Sequence, residues 1–244
     1  NRIIRKVDYI QVISNYLKDF AVSCNARSPI AIVPNGVDIQ KIKNLKIKMQ
    51  NEKLKNKLNI KNDEKIVITT SRLVYKNGID VLIKANNELK KNDPLIKIKL
   101  LILGDGVLRN KLENLALKLN LKNEVLFLGY ILQDEIYDYL AISDIFCRPS
   151  RSEGLGNSFL EAMAIGLPII GTAVGGIPDF LTDPSTNSGQ ATGLFSKVDD
   201  ECDLAEKIKR DWHGKKLVQE NYDWNNIAEK MKEIFLKLEI LFVS

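Results

Sequence analysis

Histidine is almost absent from this sequence, and cysteine is rare. The only histidine is His213, in a polar segment, which argues against a catalytic triad or a metal site built on histidine. The three cysteines, Cys24, Cys147 and Cys202, are far apart and form no C-x-x-C motif. Their spacing argues against a zinc site or a disulfide framework, and it predicts a protein of a reducing, cytoplasmic compartment.

Other common signals are missing as well. No apolar run approaches the roughly 18 residues that a membrane-spanning helix requires. The turn Gly104-Asp105-Gly106 begins like the dinucleotide-binding pattern G-x-G-x-x-G, but Arg109 occupies the place of the third glycine. The P-loop pattern G-x-x-x-x-G-K-[ST] does not occur. A NAD-binding site and a P-loop nucleotide site are therefore both poorly supported.

Positive charge is concentrated in the first quarter of the chain. Residues 1–60 hold 12 Lys and Arg against 4 Asp and Glu, whereas the remaining residues hold 24 against 27. A general richness in lysine, isoleucine and asparagine is the simpler explanation. A peripheral contact with acidic phospholipid at the inner membrane face, or with another acidic partner, is the alternative. Since aromatic residues are not interleaved with the basic ones, nucleic-acid binding is not expected.

The pattern that is present is an alternation of strands and helices. The 244 residues, 45% of them hydrophobic, are enough for one large domain or two small ones. Predicted strands cover residues 65–71, 96–104, 124–129 and 144–150, and predicted helices cover 77–91, 107–121 and 132–143. Strands that alternate with helices of ten or more residues predict an α/β fold, in which helices cover both faces of a parallel sheet. Ligands of such sheets bind beyond the carboxyl ends of the strands.

The two ends of the chain have different patterns. Residues 8–14 predict a strand, Ser14 is placed to cap a short helix, and 30–34 predict another short strand. The asparagine-glycine turn that follows predicts a domain boundary. Near the other end, 224–241 predicts an amphipathic helix. Because the chain begins with Asn rather than Met, and its first residues resemble the middle of a fold, we expect a piece of a longer protein.

The most specific stretch is SEGLGNSFLEAMAIGLPIIGTAVGGI, residues 152–177. It places two acids, Glu153 and Glu161, on either side of the start of a predicted helix. The S-x-x-E spacing of Ser158 and Glu161 predicts a capping box and a helix that begins at Asn157 or Ser158. Glycines before the helix allow a ligand to approach the backbone closely.

This arrangement predicts a ligand that is both polyhydroxylated and phosphorylated. The free amides of a first helical turn favour an anion, and the two carboxylates can accept hydrogen bonds from sugar hydroxyls. The alternative is that Glu161 is only a capping acid and Glu153 only a solvated loop residue. The two acids, the glycines and the apolar strand that follows together favour the binding site.

A second group of candidate site residues is the loop after the first predicted core strand, which contains Arg72 and Lys76. Two cations four residues apart at the carboxyl end of a strand can clamp a diphosphate, arginine as a fork and lysine as a point charge. The alternative is two ordinary basic residues in an exposed loop.

Together these residues resemble the group 1 glycosyltransferases, family 4 of the enzymes with the GT-B fold. The matching segments are VPNGVD (33–38), SRLVYKNGID (71–80), LILGDG (101–106), VLFLGYI (125–131), the stretch from SDIF to PDFL (143–181) and YDW (222–224). They follow the family's order and cover most of the chain.

The resemblance implies one half of a GT-B protein, in which two Rossmann-like domains enclose the active site. Residues 1–34 are expected to be the end of a first, acceptor-binding domain and the crossing between domains. Residues 35–244 are expected to form a Rossmann-like domain that binds the nucleotide sugar and ends in a helix. The first domain is therefore expected as a missing partner of this chain.

The resemblance also implies roles for individual residues. Arg72 and Lys76 match the pair that neutralises the donor diphosphate. Glu153 matches the acid that contacts the transferred sugar, and these three residues form the implied catalytic set. Glu161 matches the acid that binds the ribose hydroxyls. Main-chain contacts are implied at Ile131 for the base and at Gly156, Asn157 and Ser158 for sugar and phosphate.

The implied activity is transfer of a sugar, with retention of anomeric configuration, from a UDP- or GDP-type nucleotide sugar to a glycan or lipid-linked acceptor, as in polysaccharide biosynthesis. The family generally needs no metal, no other cofactor is expected, and the sequence has no Asp-x-Asp motif. The chain departs from the family pattern at Leu155 and Asn157, so the sugar itself is not predicted. Two alternatives stay open: a non-catalytic subunit that binds a nucleotide sugar, and a nucleotide-sugar epimerase on the same fold.

Overall fold

The computed structural model describes residues 3–38, 42, 47–182 and 192–209. The predicted helix at 224–241, the YDW segment at 222–224 and His213 lie outside the described residues. Within those ranges the strands are β1 (Ile10–Val12), β2 (Ile30–Ile32), β3 (Lys65–Thr70), β4 (Ile98–Leu103), β5 (Val125–Gly129), β6 (Ile145–Arg148), β7 (Ile169–Thr172) and β8 (Leu194–Ser196). The helices are α1 (Asn15–Ser23), α2 (Ile47–Lys57), α3 (Ile79–Asn92), α4 (Arg109–Lys118), α5 (Gln133–Ala141), α6 (Asn157–Ile165) and α7 (Glu201–Ile208). Short 3₁₀ turns occur at Tyr75–Asn77 and Ile177–Asp179.

The main sheet is parallel and has the strand order β5-β4-β3-β6-β7-β8. The strand β3 pairs with β4 from Lys65 opposite Ile98 to Thr70 opposite Leu103. On its other side β3 pairs with β6. The chain therefore runs outward through β4 and β5, then returns to β6 beside the starting strand. The point where the order reverses lies between β3 and β6, where open α/β sheets form their ligand-binding crevice.

Both faces of this sheet are buried, as the continuous apolar strand patterns predict. Side chains alternate along a strand, so Ile66 and Ile68 of β3 pack in one core, with Phe159 of α6. Val67 lies between them in sequence and packs in the opposite core, with Leu82 of α3. The predicted parallel α/β sheet is confirmed. Within the described residues, no helix combines the length and apolar character that crossing a membrane requires.

The strands β1 and β2 form a separate parallel pair joined by α1. The Ser14 hydroxyl accepts a hydrogen bond from the Leu17 amide (3.3 Å), so the predicted helix cap is confirmed. The Asn15 amide donates to Asp179 Oδ2 (2.7 Å), which attaches this unit to the loop after β7. The assignment of 1–34 and 35–244 to two different domains stays a prediction.

Candidate active site

A cleft of about 470 Å³ opens at the carboxyl ends of β3, β4, β5 and β6. Of the residues predicted to bind substrate, the following line it: Arg72, Ile131, Glu153, Gly156, Asn157, Ser158 and Glu161. The cleft thus forms where the strand order reverses and where loops from both halves of the sheet meet. Leu155, one of the departures from the family pattern, is buried in the core instead.

Glu153 lies in the loop between β6 and α6, and its carboxylate is held at both oxygens. Oε1 accepts a hydrogen bond from the Gly154 amide (2.9 Å), and Oε2 accepts one from the Arg148 guanidinium. The side chain is only 13% exposed. Because a carboxylate oxygen has two lone pairs, each one can still accept a hydroxyl from a ligand.

The helix α6 begins at Asn157, as predicted, but the predicted capping box is wrong. Gly156 is the N-cap, with φ +96°, a conformation that favours glycine, and no side chain caps the helix there. Ser158 instead accepts a hydrogen bond from Arg148 (2.8 Å), and Glu161 accepts one from Gln133 (2.6 Å). The first-turn amides of α6 are therefore left without a side-chain cap, beside the cleft, where they favour an anion.

Glu161 lies in the second turn of α6 and is half-buried. Burial raises its pKa, while the hydrogen bond from Gln133 and the charge of Arg148 oppose that shift. The Tyr137 side chain of α5 also faces this carboxylate, whose charge adds to burial in raising the pKa of the tyrosine. An acid held in this way is an acceptor placed for hydroxyl groups at the α5 side of the cleft.

Arg72 and Lys76 differ in their positions. Arg72 is exposed and lines the cleft directly. Lys76 lies in the 3₁₀ turn and is not among the lining residues, but its Nζ is 3.9 Å from Glu153 Oε1. The structure therefore brings the predicted cation after β3 into ion-pair distance of the predicted acid after β6.

The opposite side of the cleft follows β4 and β5. Ile131 is half-buried there and Tyr130 is 78% exposed beside it. At the cleft floor, the Thr70 and Ser71 hydroxyls are buried and have no hydrogen-bond partner among the described residues. Buried polar groups normally have a partner, so these two hydroxyls are exceptions to that rule beside the cleft.

Arg148 is a site residue that sequence reasoning missed. It is the last residue of the apolar strand β6, is 6% exposed, and lines the cleft. Its guanidinium lies 4.6 Å from the ring centre of Phe159. Burial lowers its pKa, against the opposing charges of Glu153 and Glu161. The available signal was a charged residue at the end of an otherwise apolar strand.

Arg151 is a second missed residue, and it acts outside the cleft. Its guanidinium binds Asp80 through two hydrogen bonds (2.9 and 2.8 Å), Asp199 (2.6 Å) and the Tyr75 carbonyl (2.7 Å). Its main-chain amide donates to the carbonyl of Lys76 (2.7 Å). Arg151 thereby ties the loop that carries Glu153 to the turn that carries Lys76.

The glycine pair after β7, Gly175 and Gly176, packs against the main chain of the loop that carries Glu153. Gly175 has φ +57°, and a Cβ there would lie 1.7 Å from the Glu153 carbonyl oxygen. The Gly176 amide donates to that same oxygen (3.3 Å). No larger residue at 175 can lie this close to the loop.

Metal ligands are not clustered at this site. Across residues 3–38, 42, 47–182 and 192–209, no group of three or more His, Cys, Asp or Glu side chains could hold a metal ion.

Solved structures with the same fold are glycosyltransferases and a sugar-phosphate synthase. Sucrose-phosphate synthase from Thermosynechococcus elongatus superposes with a TM-score of 0.83 at 24% identity, covering 98% of this chain and 60% of that chain. Anabaena HepE in complex with UDP-glucose superposes with a TM-score of 0.83 at 20% identity, covering 97% of this chain and 66% of that chain. At these identities the likeness establishes the fold alone, that of the Rossmann-like domain of GT-B proteins.

Sequence relatives include proteins with named activities. Alpha-monoglucosyldiacylglycerol synthase of Streptococcus pneumoniae is 33% identical over 162 residues, which are 66% of this chain and 35% of that protein. The gpi3 subunit of phosphatidylinositol N-acetylglucosaminyltransferase of Schizosaccharomyces pombe is 31% identical over 175 residues, which are 69% of this chain and 37% of that protein. The chain spans less than half the length of these two relatives. The family model "Glycosyl transferases group 1" matches residues 50–231, more than half of the chain, so the chain belongs to that family.

Proposed function

We propose that the protein containing this chain transfers a sugar from a nucleoside diphosphate sugar, of the UDP or GDP type, and that this chain is its donor-binding half. One observation carries the proposal: Lys76 Nζ lies 3.9 Å from Glu153 Oε1. In a nucleotide sugar the β-phosphate is bonded to the anomeric carbon, so a cation for phosphate and an acid for sugar must be neighbours.

The diphosphate would lie between basic side chains and helix amides. Arg72 lines the cleft from the β3 side, Lys76 flanks it, and α6 presents its uncapped amides from the other side. A guanidinium, an ammonium and a helix N-terminus are three devices that stabilise phosphate oxygens.

The two acids would hold the two sugars of the donor. Glu153, beside Lys76, would accept hydroxyls of the transferred sugar. Glu161, on the α5 side near Ile131, would accept the ribose hydroxyls of the nucleoside. Ile131 and the exposed ring of Tyr130 would then flank the base.

The chemical role of the site is to stabilise the leaving diphosphate. Negative charge grows on the β-phosphate as the bond to the anomeric carbon breaks, and fixed charges at Arg72, Lys76 and the α6 amides would stabilise it without moving. Retention of anomeric configuration is part of the proposal. The proposed acceptor is a glycan or a lipid-linked group. The lipid alternative is supported by two relatives whose names include diacylglycerol and phosphatidylinositol.

Calorimetric titration of the full-length protein with UDP, GDP, ADP and NAD tests the donor assignment. We expect one nucleoside diphosphate to bind and NAD not to bind. Arg72→Ala and Lys76→Ala should each lower the affinity for that diphosphate by at least about tenfold, because a charge-assisted phosphate contact contributes roughly 1.5–3 kcal/mol. The affinity for the matching nucleoside should change little. Equal losses for nucleoside and diphosphate would refute the diphosphate clamp.

Product analysis separates the proposed activity from the alternatives. Full-length protein is incubated with UDP-glucose or GDP-mannose and lipid or glycan acceptors. A transferase releases the nucleoside diphosphate and forms a glycosylated product. An epimerase returns a changed nucleotide sugar, and a non-catalytic subunit binds the donor without product.

A further inference from the structure

The arginine at the end of β6 costs stability unless its charge is used. Arg148 is 6% exposed and takes a position that an apolar residue fills elsewhere in the strand, as at Phe146. Removing a guanidinium from water is unfavourable unless its hydrogen bonds and charge are satisfied, and an apolar side chain of similar size is often as stable. Packing alone therefore does not account for this residue.

The contacts of Arg148 join three separate walls of the cleft. It donates to the Thr70 carbonyl at the end of β3 (3.3 Å) and to the Ser158 hydroxyl in α6 (2.8 Å). It also donates to Glu153 Oε2 in the loop between them. All four residues line the cleft.

The guanidinium is nevertheless incompletely satisfied. Its Nε–H has no partner among the described residues, and its face lies over the Phe159 ring. The charge is already matched by Glu153, so Arg148 is not a free cation for a phosphate group. Its geometry serves to fix the direction of its acceptors.

We propose that Arg148 is the positioning residue of the sugar subsite: it holds the Glu153 carboxylate directed into the cleft, and thereby determines recognition of the transferred sugar but not of the nucleotide. This inference rests on the proposed function. Between Arg148 on Oε2 and the Gly154 amide on Oε1, the carboxylate has one orientation and keeps a lone pair on each oxygen. Without Arg148, the acid is free to turn toward Lys76.

The test compares a nucleotide with its own nucleotide sugar. Full-length wild-type protein is titrated at about pH 8 with UDP and UDP-glucose, and with GDP and GDP-mannose. In Arg148→Met, affinity for the nucleotide should change by less than about threefold, while affinity for the nucleotide sugar, or kcat/KM for transfer, should fall by at least about tenfold. Parallel losses for nucleotide and nucleotide sugar would overturn the proposal.

Arg151→Met is the matched control, because Arg151 is also a largely buried arginine paired with acids. Arg151 lies outside the cleft lining and ties the turn of Lys76 to the loop of Glu153. Arg151→Met should therefore weaken binding of the nucleotide itself as well as of the nucleotide sugar. A sugar-selective loss in this variant would show that any buried arginine of the region has the effect, and it would overturn the assignment to Arg148.

A double-mutant cycle covers the case in which Arg148→Met does not fold. Arg148→Lys keeps the charge without the fork and Glu153→Gln keeps the shape without the charge. If Arg148 acts through Glu153, the affinity of the double variant for the nucleotide sugar should be no more than about threefold below that of the weaker-binding single variant. Fully additive losses would refute the inference. If wild-type protein binds neither nucleotide nor nucleotide sugar, the proposed function itself fails, an outcome distinct from all of these.

Discussion

Replacing Asp80 with asparagine removes the negative charge that pairs with Arg151, while the shape of side chain 80 is nearly preserved. In the native protein, Arg151 makes two hydrogen bonds to Asp80, stacks 4.1 Å from the ring centre of Tyr75, and retains Asp199 as its other acid. The asparagine can still accept one hydrogen bond, but the charge is lost. The substitution therefore leaves a largely buried guanidinium with one acid that is half exposed.

The size of the effect follows from burial. Breaking a fully buried ion pair costs about 3–5 kcal/mol. The side chains are 11% exposed for Arg151 and 31% for Asp80, so partial screening reduces the expected loss to about 2 kcal/mol. For a chain of this size, that lowers Tm by roughly 4–8 °C.

The pH dependence identifies the carboxylate as the cause. Burial would raise the pKa of Asp80, but the hydrogen bonds and charge of Arg151 outweigh it and lower the pKa below the ordinary 3.8. A lowered pKa means that Asp80 stabilises the fold fully above its unfolded-state value. That contribution is lost as the pH falls through the folded-state value. The difference between wild type and Asp80→Asn should accordingly be full at neutral pH and shrink below about pH 4.

Urea and thermal unfolding of both proteins across this pH range measure the difference. The control is Asp63→Asn, since Asp63 is paired with Lys97 on the surface, and it should leave Tm unchanged. A loss in Asp80→Asn that is no larger than in the control, or that does not depend on pH, would refute the assigned role of the Arg151 network.

Three further expectations concern other parts of the site. Gly175→Ala should destabilise the chain by about 1–3 kcal/mol, because residue 175 has φ +57° and a Cβ there would collide with the Glu153 carbonyl. Gly154→Ala is the control and should be tolerated, since its Cβ would meet only side chains at 3.7 and 3.9 Å; thermal unfolding compares the two variants. Arg148→Met should raise the pKa of Glu161, because the charge of Arg148 lowers it in the native protein; Gln133 and Tyr137 also face this carboxylate. UDP titrations from about pH 8 to about pH 5 should therefore show affinity falling at a higher pH in the variant than in wild type. Coincident pH profiles would contradict this. Iodoacetamide should label exposed Cys202 in the native protein but not Cys147, where burial raises the pKa of the thiol; mass spectrometry of Cys147 peptides labelled without denaturant would contradict it.

The sequence alone was sufficient for the fold class and for the neighbourhood of the site. The predicted core strand at 65–71 and the predicted helix at 77–91 correspond to β3 and α3, because apolar periodicity is local and directly reflects the faces to be buried. The rule that ligands bind beyond the carboxyl ends of parallel strands then placed Arg72 and Glu153 at the same edge.

Tertiary structure decided the hydrogen-bond partners within that edge. Ser158 and Glu161 have capping-box spacing, but the helix begins at Asn157 with Gly156 as its N-cap, so Ser158 is not at the cap position. The two side chains bind Arg148 of β6 and Gln133 of α5 instead. The approach of Lys76 to Glu153 and the network of Arg151 likewise depend on the strand order, which places β6 beside β3. Strand order is a property of contacts between residues far apart in sequence, and no local pattern contains it.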